Sequence, residues 1–215
     1  MDTFLPIFPT AYLPSVLYLA HVAMFPAIAI ERKETFPKQT FRNRMTIATG
    51  NGVQTLTVPV VRPNGNHTRT EEMEVSYGEP WNIRHWRAIV TAYNTSPFFL
   101  YYQDDLERIF MERHTLLIEL NDKLLHYLLQ KLKIACDILF TEEYAPAGNP
   151  ADDYRYTLVS KRPTTQYALP PYSQVFDTRI GFQPNMSGID LLFNLGPEAG
   201  LYIKSLASTL EKPRP

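Results

Sequence analysis

An Asn-Gly pair at positions 51–52, set between two runs of β-type residues, constrains this chain more than any other feature of its sequence. Asn-Gly between alternating apolar residues signals a hairpin, because both central positions of a type I′ turn need positive φ and these two residues tolerate it. With Asn51 and Gly52 at the tip, Ile47 faces Leu56, Met45 faces Val58 and Thr46 faces Thr57. Side chains alternate along a strand, so one face is apolar and the other carries Arg42, Arg44, Thr46, Thr55 and Thr57. The polar run Lys38-Gln39-Thr40-Phe41-Arg42-Asn43-Arg44 leads into this hairpin. Two guanidiniums and several hydroxyls on one face suit a phosphate or carboxylate. The same arginines suit an ordinary outer face on which they pair with Glu31 or Glu34. Spacing alone does not separate the two.

Composition narrows the class. A 45% hydrophobic, 13% aromatic chain of 215 residues supports a real core, most simply one domain over 1–215. A net charge of −1 supplies no long-range field, which argues against a nucleic-acid partner. Cys136 is the single cysteine, so no internal disulfide and no CxxC metal pair is available, as expected in a reducing compartment. It reads as a small buried filler rather than a nucleophile. From Thr3 to Ile30 no side chain is charged, a length that suffices for a membrane span. Pro6, Pro9, Pro14 and Pro26 interrupt it, and Met1-Asp2 offers no basic start for a signal peptide. The expectation is therefore no span, but strand Phe4–Phe8, helix Ser15–Met24 and strand Ala27–Glu31, with unbroken apolar runs typical of doubly covered strands.

Beyond the hairpin, Glu72–Tyr77 alternates as a strand, and Pro80 opens a helix with Ile83, Trp86, Ile89, Val90 and Tyr93 as its apolar stripe and His85 at the edge. Asp104–Lys133 is helical in period, with Asn121-Asp122 the expected break because either residue caps a helix. Asp137–Thr141 reads as a returning strand. The segment 144–172 is proline-rich and predicts an extended arm. Ser187-Gly188-Ile189-Asp190 has capping-box spacing ahead of a helix Gly188–Asn194, a last helix runs from Glu198 to about Thr209, and Lys212–Pro215 should fray. No P-loop, Gly-x-Ser-x-Gly, His-Glu-x-x-His or Gly-x-Gly-x-x-Gly is present, no metal-ligand set is read, and no cofactor is assigned.

The order of several short pieces resembles the WbqC-like family. Phe8-Pro9-Thr10-Ala11-Tyr12-Leu13-Pro14 with Tyr18 is similar to its opening motif, and Phe41-Arg42-Asn43-Arg44 to its Gln-Asn-Arg core. Leu56-Thr57-Val58-Pro59-Val60, Trp81 with His85-Trp86, and Ser96-Pro97-Phe98-Phe99 resemble the pieces that follow. So do Asp153-Tyr154-Arg155 with Lys161, and Phe182 to Glu198 as the closing motif. Where the family often has paired acids after its second strand, this chain has Glu31-Arg32-Lys33-Glu34. The resemblance implies a cytoplasmic bacterial enzyme of cell-surface polysaccharide biosynthesis (O-antigen, lipopolysaccharide), an aminoacyl or acyl transferase acting on an activated sugar. The alternative is a non-catalytic ligand-binding protein of that pathway. On the first reading Arg42 and Arg44 hold an anionic small molecule, a nucleotide-sugar or acyl donor, and His85 is general base. Tyr12, Lys38, Asn43, Trp86, Asn185, Asp190 and Asn194 then complete the binding set.

The fold expected is α/β (or α+β): a mixed sheet including a hairpin at about 44–60, covered by helices, with the proline-rich arm wrapping back and short C-terminal helices. A buried Tyr12 needs a hydroxyl partner, and the closing segment carries more short polar groups than one small helix uses. That segment is expected to fold back beside the start of the chain and complete a cleft with Arg42 and His85.

Overall fold

The computed structural model describes residues 5–37, 40–146, 153–158 and 167–210. Lys38, Lys161 and the fraying expected at Lys212–Pro215 lie outside the described residues, as does much of the proline-rich arm. In chain order the elements are β1 (Ile7–Pro9), α1 (Val16–Val22), β2 (Ala27–Glu31), β3 (Arg44–Thr49), β4 (Gly52–Thr57), β5 (Val60–Val61) and β6 (Glu74–Val75). They continue with α2 (Trp81–Tyr93), α3 (Phe99–Met111), α4 (Leu117–Lys131), β7 (Asp137–Phe140), α5 (Asp177–Ile180), α6 (Gly188–Leu195) and α7 (Ala199–Thr209).

The uncharged N-terminal stretch makes a β-α-β unit. β1 and β2 run parallel, β7 joins the far side of β2 in parallel, and α1 between the first two strands is buried on every side. Such a helix has no wet face to satisfy its first N–H groups. Ser15 Oγ accepts from Tyr18 N at 3.4 Å, and Asn185 Oδ1, from the other end of the chain, accepts from Leu17 N at 2.9 Å. Among the described residues no helix is long and apolar enough to cross a membrane.

The class is α/β, with parallel and antiparallel strands held in separate sheets: β1-β2-β7, the hairpin β3-β4, and the pair β5-β6. In the hairpin Leu56 and Val58 are buried beside Met45 and Ile47, while Thr55 and Thr57 are exposed. The predicted pairing is corrected by two residues, for Met45 stands opposite Leu56, Thr46 opposite Thr55 and Ile47 opposite Gln54. The tip is Gly50-Asn51, and the one positive φ of the turn falls on Gly52, at +110°. Thr49 Oγ1 donates to Gly52 O at 2.7 Å and accepts from Asn51 N at 3.4 Å, which favours this tighter closure. A slip of two keeps every side chain on its face, so the apolar side survives the correction.

Three further expectations change. Ile83 is exposed, and the buried stripe of α2 is Trp81, His85, Trp86, Ile89, Ala92 and Tyr93. The long helical region breaks at 112–116, not at Asn121-Asp122. Asn121 sits inside α4 because its amide donates to Thr10 Oγ1 (3.1 Å) and to Arg42 O (2.8 Å), tertiary partners that replace a capping role. Ser187 does not cap α6, since its hydroxyl donates to Leu13 O at 2.9 Å.

That last bond belongs to a seam between the chain ends. Val16 N donates to Met186 O, Gly188 N to Pro14 O, and Ser187 N to Thr46 O on the hairpin, at 2.8–3.0 Å. The arm residue Asp153 bridges Ile7 on the open edge of β1, and Tyr154 N donates to Ile7 O at 2.8 Å. The Tyr154 ring stacks on Phe8, centroids 4.4 Å apart. The closing segment does fold back onto the start of the chain.

Candidate functional site

Burying a charge requires a partner, so clusters of buried charge show where the fold has gathered groups from afar. The carboxyl ends of β2 and β7 carry such a cluster. Glu31, the last residue of β2, is fully buried, as is Arg155 from the arm. Arg155 grips Asp153 in a two-point pair, Nε to Oδ1 at 2.9 Å and NH2 to Oδ2 at 2.5 Å, and its NH1 donates to Glu31 Oε2 at 3.3 Å. These carboxylate bonds, Asp153 first, hold the guanidinium pKa above its already high ordinary value. Glu31 also accepts from Lys33 N (2.7 Å), Thr141 Oγ1 (2.8 Å) and Ala145 N (2.9 Å). Beside them Arg42 donates to a single oxygen of Glu34, Nε to Oε1 at 2.9 Å and NH2 to Oε1 at 2.5 Å. Burial raises the Glu34 carboxyl above its ordinary value, against the opposing pull of Arg42.

These groups border a cavity of about 500 Å3. Lys33, Glu34, Arg42, Arg69, Arg155 and the half-exposed rings of Tyr144 and Tyr156 line it. Arg155 lies over both tyrosine rings, 5.7 and 5.5 Å from their centroids. At the rim, Glu71 is within 4.0 Å of three cations, Arg32 (3.6 Å), Lys33 (3.0 Å) and Arg69 (4.0 Å). Glu71, with the nearby charge of Glu72 acting on Lys33 and Arg69, faces three positive groups, so the rim keeps a small excess of positive charge. The carboxyl ends of parallel strands are the customary place for a ligand in an open α/β sheet.

Of the residues singled out in the sequence, Arg42 borders this cavity, in the ion pair with Glu34 that was the alternative to an anion site. Asn43 clamps the hairpin base, its Nδ2 donating to Val58 O at 2.9 Å. Arg44 is half-buried on β3, with its Nε enclosed and without a hydrogen-bond partner among the described residues. Tyr12 and His85 find one another, hydroxyl to Nδ1 at 2.9 Å. His85 is 6% exposed, and burial lowers its pKa to about 4. Trp86 packs between Phe99 and Phe110. Asn185 caps α1, and Asn194 Nδ2 donates to Asp190 O at 2.7 Å. The Asp190 carboxylate accepts from Tyr93 and Tyr172 hydroxyls, each at 2.7 Å, and from Gln174 Nε2 at 2.9 Å. Its pKa is raised by burial, and these bonds oppose the rise. The structure thus brings together a tyrosine–histidine pair, a buried Asp190 network and a charged cavity as three separate places.

The cavity residues other than Arg42 were not picked out as site residues. Glu31, Glu34 and Asp153-Tyr154-Arg155 stood in family-like segments, yet no local signal says that segments over a hundred residues apart converge.

The family model described as the WbqC-like protein family matches residues 10–168. That is most of the chain, from just after β1 to beyond Arg155. The chain belongs to the WbqC-like protein family. It is also 28% identical over 219 residues to the uncharacterized protein Rv1507c of Mycobacterium tuberculosis, covering 90% of this chain and 94% of that one. No solved structure matches it. The matched region of this WbqC-like protein includes every residue named above as lining the cavity, whereas the Asp190 network lies mostly beyond it.

Proposed function

We propose that this WbqC-like protein is a cytoplasmic transferase of bacterial cell-surface polysaccharide (O-antigen type) assembly, and that it holds an activated sugar in the cavity at the carboxyl ends of β2 and β7. The observation that carries this reading is the composition of one cavity: an excess of cations over carboxylates at the rim, half-exposed tyrosine rings, and a polar inner wall of paired charges. Lys33 and Arg69 take the anionic part of the donor, since they share Glu71 while Arg42 and Arg155 are bound to their own carboxylates. Tyr144 and Tyr156 offer half-exposed rings for a sugar or base to lie against. A volume of about 500 Å3 falls in the range of small-molecule sites. His85, enclosed and bonded to Tyr12, belongs in this reading to the support of α2 rather than to the reacting groups.

The test is ligand-dependent melting with UDP-, GDP- and dTDP-linked hexoses. A ligand present at a hundred times its Kd stabilises the fold by about 2.7 kcal/mol, a shift of several degrees. At least one nucleotide sugar should raise the melting temperature of the wild type, and Lys33→Ala with Arg69→Ala should abolish the rise without lowering the melting temperature of the free protein. Absence of any shift at millimolar ligand overturns the reading.

A further inference from the structure

The Glu34–Arg42 pair is lopsided. Both guanidinium nitrogens of Arg42 that reach Glu34 donate to Oε1, and among the described residues Oε2 has no hydrogen-bond partner. The residue is 8% exposed and lines the cavity. A carboxylate this enclosed ordinarily fills both oxygens. Its backbone is pinned as well, for Glu34 O accepts from Thr70 N at 2.9 Å and from Thr70 Oγ1 at 3.3 Å. Asn121 in turn holds the Arg42 carbonyl at 2.8 Å, so both partners of the pair are fixed on either side. The result is an acceptor oxygen held still, without a partner among the described residues, on a side chain that lines the cavity.

We propose that Oε2 of Glu34 is the group that reads the sugar, accepting a hydrogen bond from a hydroxyl or amine of the bound glycosyl unit, with Arg42 as the positioning residue that presents it. This rests on the reading of the cavity as a nucleotide-sugar site. It divides that site in two: the diphosphate lies at the Lys33–Arg69 rim and the sugar ring lies inward, against Glu34. Selection of the glycosyl unit then resides in Glu34, and affinity for the phosphates does not.

Glu34→Gln separates these roles. Glutamine keeps an oxygen for Arg42 to hold and replaces the open acceptor by an amide donor. Affinities of wild type and variant are measured by titration calorimetry for the nucleotide sugar that stabilises the wild type and for its nucleoside diphosphate. We expect Glu34→Gln to weaken the nucleotide sugar about tenfold or more, the size of losing a hydrogen bond to a charged acceptor, and to leave the diphosphate within about twofold. Arg42→Lys, which donates at one point, should reproduce the same selective loss. Equal affinity of Glu34→Gln for the nucleotide sugar, or equal loss of both ligands by a folded variant, overturns the proposal and leaves the cavity reading standing. Should Glu34→Gln not fold, Glu34→Asp, which withdraws the carboxylate by one methylene, is measured for the same selectivity. If the wild type binds neither ligand, the cavity reading fails and this proposal fails with it.

Discussion

His85 shows how burial turns a titratable residue into a stability term. Its pKa lies near 4 in the fold against an ordinary value of about 6.5. Between those values the unfolded chain takes up a proton that the folded chain refuses, so stability present above pH 6.5 is lost as pH falls through 4. At about 1.4 kcal/mol per unit this amounts to about 3 kcal/mol. His21, whose pKa is also lowered by burial, adds in the same direction. Glu34 and Asp190, raised by burial, act oppositely, contributing stability at low pH that is lost as pH rises. Comparison of wild type with His85→Gln isolates the one residue: urea denaturation from pH 7 to 4 should show a shallower acid loss in the variant. At the same scale, Asp190→Leu would strand the hydroxyl donors of Tyr93 and Tyr172 inside the protein, while the Gln174 amide keeps its bond to Gln183 O. We expect a loss of several kcal/mol, at about 1–3 kcal/mol per orphaned group, while Asp190→Asn, which keeps one acceptor, should lose markedly less.

At the scale of elements, close approach of α7 to the end of α4 sets the tightest tolerance. A Cβ on Gly200 would lie 2.1 Å from the Leu132 carbonyl oxygen, a backbone atom with no rotamer to change. Helix propensity favours alanine over glycine by about 1 kcal/mol, yet here the sign should reverse. Gly200→Ala is expected to destabilise by at least the roughly 1–3 kcal/mol of an overpacked core, because α7 must move as a body. Chemical denaturation of that single variant checks it. The hairpin is more forgiving: a Cβ on Gly52 would meet nothing within 4 Å, so Gly52→Ala pays only for φ of +110°.

For the whole molecule, the seam between chain ends predicts one cooperative unit. A chain ending at Tyr144 would lose Tyr154 from the face of Phe8, Asn185 from the start of α1, and α6 from the core. It would also leave Glu31 buried without Arg155, a break of the kind that costs about 3–5 kcal/mol. Such a chain should show no sharp thermal transition and should bind a hydrophobic dye through the uncovered faces. A cooperative melt of residues 1–144 would instead show that the C-terminal third is an appendage.

Local chemistry carried much of this architecture. The strand–helix–strand start, the faces of the hairpin, helix α2 and the last two helices follow from hydrophobic period and turn residues, which act within a few positions of the chain. Residues with a choice of partners were not decided there. Asn121 has the chemistry of a helix cap but is claimed by Thr10 and the Arg42 carbonyl, Ser187 by Leu13, and the hairpin turn by Thr49. Arg42 could have faced an anion or an acid, and the fold gave it Glu34. The cavity is the extreme case, since Glu31 and Arg155 are 124 positions apart and each looks like surface charge alone. Only the parallel pairing of β2 with β7, and the arm laid along β1, bring them within a hydrogen bond, because burial of one charge is tolerable only once the other has arrived.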